Sequence, residues 1–126
     1  MNKLNIASID HDKIKISVND TSSGVAVKFV GDIDMEDPSQ ILDPLFEQIH
    51  KGSVAQGYKL IEADFRELNF LNSSGIKAVA KWIMKLMEVP DNQKYQIKIV
   101  YNKEITWQTT SLPTLKFLVP GQVAVE

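Results

Sequence analysis

At 126 residues, 44% of them hydrophobic, the chain has the length of one compact domain and enough apolar material to bury a core. With 14 basic residues against 16 acidic ones, the formal charge of -2 offers no field for nucleic acid or an anionic membrane. Arg66 is the only arginine and cysteine is absent, so bidentate phosphate forks are scarce, and disulfides, thiolate catalysis and Cys-rich zinc sites are excluded.

In chain order, Leu4 to Ile9 reads as a short strand at the edge of a sheet. Lys13 to Val18 follows, with Ile14, Ile16 and Val18 alternating onto one face. The turn residues "NDTSSG", 19–24, lead into a second alternating run, Val25 to Val30, so the pair forms a hairpin. After "GDIDMEDP", Ile41, Leu42, Leu45, Phe46 and Ile49 recur at helical spacing. They predict a first helix over Ser39 to Lys51, with Asp37 or Ser39 as its cap and Gly52 just beyond its end.

Lys59 to Phe65, "KLIEADF", is too densely apolar for a strand with one wet face and is expected in the middle of the sheet. From Ser74 to Val89, Ile76, Val79, Ala80, Ile83, Leu86 and Met87 trace the buried stripe of a second helix. Lys77, Lys81 and Lys85 form a basic stripe opposite it. "VPDNQ" closes this helix, and Tyr95 to Tyr101 alternates as another strand. Glu104 to Thr110 and Ser111 to Leu118 read as short helices, the second opened by Ser111 and Pro113, and Val123 to Val125 as a last strand.

The order β, β, α, β, α, β, α, β makes this an α/β protein. An initial hairpin is followed by parallel strands with right-handed crossovers, giving one mixed sheet covered by helices in a single domain over residues 1–126. The stretch before Asp12 lacks the apolar core of a signal peptide, and no apolar run approaches the roughly 20 residues that span a bilayer. A cytoplasmic protein without membrane association is therefore expected.

The stretch "LNFLNSSGIKAV", Leu68 to Val79, carries the most pointed residues. Asn72, Ser73 and Ser74 can each cap a helix, and none has Glu or Gln three positions on to complete a capping box. Asn72-Ser73-Ser74 also fits the N-glycosylation pattern, as does Asn19-Asp20-Thr21, but without a secretory signal neither meets that machinery. A serine nucleophile needs a base held by a third group. The only histidines are His11, in a polar turn, and His50, placed by its position at the end of the first helix.

Asp32, Asp34, Glu36 and Asp37 could offer oxygen ligands to a divalent cation. Their place just before a helix fits capping and complementing its dipole, and they lack the 12-residue calcium-loop pattern. No metal and no cofactor are expected. Trp82 falls between the apolar and basic faces of the second helix, a core-edge position that would make a partner-binding hot spot if partly exposed. Trp107 and Phe117 are expected to cover the sheet.

Three features together resemble the STAS domain, the family of the bacterial anti-sigma factor antagonists. They are "VKFVGDID" at Val27 to Asp34, "LIEADFRELNFLNSSGIKAV" at Leu60 to Val79, and the strand, helix, strand tail. The resemblance implies a non-enzymatic regulatory module that binds a serine kinase acting as an anti-sigma protein, with a phosphatase as a further partner, and that is switched by phosphorylation of the serine before the glycine. By position that serine is Ser74, with Ser73 as the second candidate.

The partner surface so implied takes in Asp32, Asp34, Asn72, Ser73, Ser74, Gly75, Lys77, Lys81 and Trp82. The family aspartate is Asn72 here, which removes a negative charge beside the serine and supplies an amide able to donate to phosphate oxygens. Two other readings stand beside this one: a scaffold or regulatory subunit of the same fold without phosphorylation control, and a metal-dependent enzyme built on the acidic turn.

Overall fold

The computed structural model describes residues 2–126. Six strands lie side by side in sequence order: β1 (Ile9–His11), β2 (Ile14–Asp20), β3 (Gly24–Ile33), β4 (Leu60–Leu71), β5 (Gln96–Val100) and β6 (Val123–Val125). The first three are antiparallel, and β3 through β6 are parallel. The helices α1 (Ser39–Gln56), α2 (Ser73–Met84) and α3 (Thr106–Ser111) fill the three parallel crossovers. Every crossover moves one place in the same direction, and right-handed connections of that kind put all three helices on one face.

Burial follows this one-sided cover. Ile14, Ile16, Val18, Val25, Val27, Phe29, Ile61, Ala63, Phe65, Ile97 and Ile99 are buried toward the helices. On the other face Lys28 pairs with Glu67, and Lys98 with Glu62 and Glu126. β4 does lie in the middle of the sheet, yet only one of its faces is packed, because Glu62 and Asp64 alternate onto the uncovered side. The ring of Phe29 stacks on Phe65 at 4.8 Å, and Phe46 of α1 stacks on Trp82 of α2 at 4.7 Å. Each such pair adds about 1 kcal/mol beyond its area burial.

Several boundaries differ from the sequence expectation. The edge strand is Ile9–His11 rather than Leu4 to Ile9, because the buried Asn2 side chain takes over the backbone of the preceding segment. Its Nδ2 donates to the carbonyls of Ile6 and Val18, and its Oδ1 accepts from the N–H groups of Leu4 and Ile6. Gly52 does not end α1. The helix continues to Gln56 and stops at Gly57, whose φ of 70° is the left-handed conformation of a C-cap. Gly52 instead makes room for Leu4, whose Cδ2 would lie 2.5 Å from an added Cβ. The α1 N-cap is Pro38, with no side-chain cap; Ser39 Oγ donates to Asp37 Oδ1 instead.

α2 begins one residue earlier than expected and ends at Met84, tightening into a 3-10 turn over Lys85–Glu88. In the tail, α3 is a single short helix and Leu112–Phe117 is 3-10. β4 runs on to Leu71, well past the predicted end at Phe65. It bulges twice against β3, holding two more residues than its neighbour between the Lys28–Asp64 and Ile33–Leu71 pairs.

Because β5 stops pairing at Asp64, the far half of β4 has a free edge, and α3 takes the missing neighbour's place. The fully buried Gln108 donates from Nε2 to the carbonyls of Phe65 and Leu68, at 2.5 and 2.9 Å, and accepts from the Asn102 N–H at 2.7 Å. Trp107 Nε1 adds a bond to the Leu68 carbonyl at 3.1 Å. Trp107 thus covers the edge of β4 as half-buried cladding, whereas Phe117 is 71% exposed and covers nothing.

Candidate functional site

The ends of β3 and β4 meet at the Ile33–Leu71 pair, and the chain leaves them by the acidic loop 34–38 and by the start of α2. Two local devices shape this end. Gly31 holds a φ of 108° where an added Cβ would sit 1.9 Å from the Lys13 carbonyl oxygen, so β3 can press against the β1–β2 turn only with glycine there. The Asp32 N–H then donates to the Lys13 carbonyl at 3.1 Å, and Lys13 Nζ pairs with Asp34 Oδ2 at 2.9 Å. The hydrogen bond and charge of Asp34, helped by Asp12 and Asp32, raise the Lys13 pKa above its ordinary value. Asp32 stays half-exposed, in register with the exposed Phe70.

The second device is Asn72. Its backbone N–H donates to the Ile33 carbonyl at 3.0 Å, and its carbonyl accepts from the Ile76 N–H at 3.0 Å. Its side-chain Oδ1 accepts from the Gly75 N–H at 2.8 Å, the N-cap bond of α2. Its Nδ2 donates to the Met35 carbonyl at 2.8 Å, tying the helix start to the acidic loop. Both ends of the amide are therefore engaged inside the protein. The Met35 carbonyl takes one of the two amide hydrogens of Asn72, so the side chain is held in place by the fold while its second N–H has no partner among the described residues.

With Asn72 as cap, neither serine is needed for that task. Ser73 and Ser74 stand exposed at the first and second helical positions. Gly75 is buried, and an added Cβ would lie 2.3 Å from Leu71 Cδ1, so its work is close packing of the helix on β4 and not partner contact.

Trp82 is likewise no surface hot spot. It is 1% exposed, stacked on Phe46, and its Nε1 donates to Tyr95 Oη at 2.9 Å. Its place on the helical wheel left it at a boundary, and α1 falls on the side that decides the matter. The same placement changes the basic stripe. Lys81 pairs with Asp43 at 2.8 Å and Lys85 with Glu47, both across the α1–α2 seam, so only Lys77 of the three has no ion-pair partner among the described residues. These two pairs bridge a groove of about 330 Å³ floored by Pro44, Phe46, Ala78 and Trp82.

The catalytic alternatives find no assembled group. His50 lies inside α1, well short of its end at Gln56, and bonds Tyr95 Oη; it is neither a helix-end residue nor near Ser74 by any bond. Among the described residues no three His, Asp or Glu side chains converge on one point. Also among the described residues, no helix is long and apolar enough to cross a membrane.

The structure thus brings Asp32, Asp34, Asn72, Ser73, Ser74 and Lys77 to one end of the sheet, and it buries Gly75 and Trp82 behind them. Met35 and Gln108, which hold this end together, were missed. Met35 acts through its carbonyl, which no side-chain pattern reports. Gln108 sits in "TWQTTS", where a buried glutamine looks like a surface one.

No family model and no curated protein matches the chain. Solved structures do. An anti-sigma factor antagonist from Mycobacterium paratuberculosis is 22% identical with a TM-score of 0.57, over 88% of this chain and 85% of that one. The fold is that of the anti-sigma factor antagonists. A protein of the DUF3478 family from Shewanella loihica PV-4, described as having a SpoIIAA-like fold, is 22% identical with a TM-score of 0.52, over 95% and 90% of the two chains. A further match is in the complex of the diguanylate cyclase SiaD with its activator SiaC from Pseudomonas aeruginosa. It is 16% identical with a TM-score of 0.70, over 95% of this chain and 98% of that one. At these identities the likeness shows the shared fold.

Proposed function

We propose that this chain is a non-enzymatic regulatory module. It docks a protein partner through the acidic loop and the start of α2, and phosphorylation of Ser74 switches that docking. The observation that carries the reading is the division of labour at the helix start. Asn72 does the capping, leaving Ser74 exposed and unused by the fold on a surface that Asn72 also fixes to the loop. Support comes from the fold relatives, which include an anti-sigma factor antagonist and an activator in complex with its cyclase.

A phosphate on Ser74 would bring roughly -1.5 to -2 charge units to a helix N-terminus, where the dipole favours it by about 0.3 to 1 kcal/mol. The fold should therefore persist while a closely packed or acidic partner surface is repelled. The partner on this reading is a cytoplasmic serine kinase of the anti-sigma type, opposed by a phosphatase.

Incubation with candidate serine kinases and ATP, followed by mass spectrometric mapping, should place phosphate on Ser74 and none on the Ser74→Ala variant. Ser74→Asp should weaken partner binding. A phosphate-free serine pair together with unchanged binding of Ser74→Asp overturns the switch.

A second reading, a scaffold of the same fold without phosphorylation control, is favoured by one observation: Asn72 uses its amide oxygen and one amide hydrogen to hold the helix start and the loop together, a structural task that needs no phosphate. It requires the Ser74→Ala and Ser74→Asp variants to bind the partner equally.

A further inference from the structure

His50 on α1, Trp82 on α2 and Tyr95 just before β5 form a hydrogen-bonded chain. Trp82 Nε1 can only donate, so Tyr95 Oη, 2.9 Å away, accepts from it. The one phenolic proton of the buried Tyr95 finds a side-chain partner only if it goes to His50 Nδ1 at 2.8 Å, so the arrangement that leaves no buried donor unpaired has Nδ1 presenting a lone pair. In that arrangement His50 is neutral, with its proton on Nε2. Tyr95 is fully buried and has no other side-chain hydrogen bond among the described residues.

Protonating His50 turns Nδ1 into a donor that faces another donor. The Tyr95 hydroxyl then has to give up either its own acceptor or the Trp82 bond, and an unpaired polar group in the interior is costly. Trp82 stacks on Phe46 of α1, so the disturbance falls on the α1–α2 seam.

We propose that His50 is a proton-operated latch between α1 and α2, closed when the imidazole is neutral and released when it takes up a proton. The charged groups around it are Glu47 and Lys51 from its own helix and Lys85 and Glu88 from the 3-10 turn after α2. Burial, with the Lys85 charge next, pushes the His50 pKa below its ordinary value, and Glu47 and Glu88 oppose this. Lys85 is itself tied to Glu47 across the same seam. The latch does not depend on the docking reading.

Nitrogen-detected NMR of the full chain tests it directly. The expected result is the Nε2–H tautomer at pH 8, a His50 midpoint below about 6.5, and a Trp82 indole N–H signal that shifts with the same midpoint. Tyr95→Phe should raise the His50 midpoint and uncouple the Trp82 signal from it. His50→Gln, which keeps an acceptor but cannot titrate, should abolish the acid shift of Trp82 while the spectrum stays folded. A Nδ1–H tautomer, a midpoint at or above about 6.5, or a Trp82 signal that ignores the titration in the unmodified protein overturns the latch.

Discussion

Asn72 Nδ2 donates to the Met35 carbonyl across 2.8 Å, joining two segments 37 residues apart in sequence, the acidic loop and the start of α2. An aspartate at this position would keep the cap to Gly75 but would turn an acceptor toward an acceptor. Asn72→Asp should therefore lower stability by about 1 kcal/mol through the lost bond, and Asn72→Ala by about 2 kcal/mol through bond and cap together. Urea denaturation gives both values. Hydrogen exchange in loop 34–38 should speed up in each variant; an Asn72→Asp variant as stable and as protected as the parent would contradict this account of the bond.

Gln108 can be tested as the stand-in for a strand neighbour. Gln108→Leu keeps the volume but leaves the Phe65 carbonyl and the Asn102 N–H without their partner, with the Leu68 carbonyl keeping Trp107. One buried and one half-buried group left unpaired should cost about 1 to 3 kcal/mol. The loss should appear in equilibrium unfolding, with α3 amides exchanging faster. A near-neutral change would mean that water replaces the side chain there.

Gly31→Ala should be among the most damaging single-atom additions. The new Cβ meets a backbone oxygen at 1.9 Å, where no side-chain rotation can relieve it, and the φ of 108° is itself unfavourable for alanine. Each effect is typically about 1 to 3 kcal/mol, so a loss of about 3 kcal/mol or more is expected by chemical denaturation. Loosening should be read first at the Lys13 and Asp32 amides.

Acid resistance should depend on Asp64. Its carboxylate accepts from Arg66 Nε at 3.0 Å, Arg66 Nη2 at 2.8 Å and the Arg66 N–H at 3.0 Å. The Arg66 side chain is the largest cause that lowers the Asp64 pKa, against the opposing effect of burial. A carboxyl whose folded pKa is depressed stabilises fully above its unfolded value of about 3.9, and that stability is lost as pH falls through the folded value. Arg66→Gln should raise the Asp64 titration midpoint in carboxyl NMR and move acid unfolding to higher pH. No movement of either would remove Arg66 from the account.

Periodicity was enough to find the hairpin, the three crossovers and the helix that starts at "NSSG", because alternation and helical spacing record which side of an element is buried. It could not find what depends on a second element. Trp82 and Lys81 sit about 100° apart on one helix, and only the position of α1 makes the first a core residue and the second a bridge to Asp43. The extension of β4 to Leu71 was hidden for a similar reason: its bulges break the two-residue alternation between Asp64 and Leu71, so the run "RELNF" carries no strand signature. Within the candidate site, Ser74 and its neighbours were visible as a helix start, while the Met35 carbonyl that anchors them leaves no trace in residue types.

The sheet face opposite the helices has a practical use. Lys15 on β2 is exposed on that side, in register with Val30, and the chain contains no cysteine. A thiol introduced there would be the molecule's single attachment point for a fluorophore or a surface tether. It would leave both the Ser74 end and the α1–α2 seam free in the same preparation.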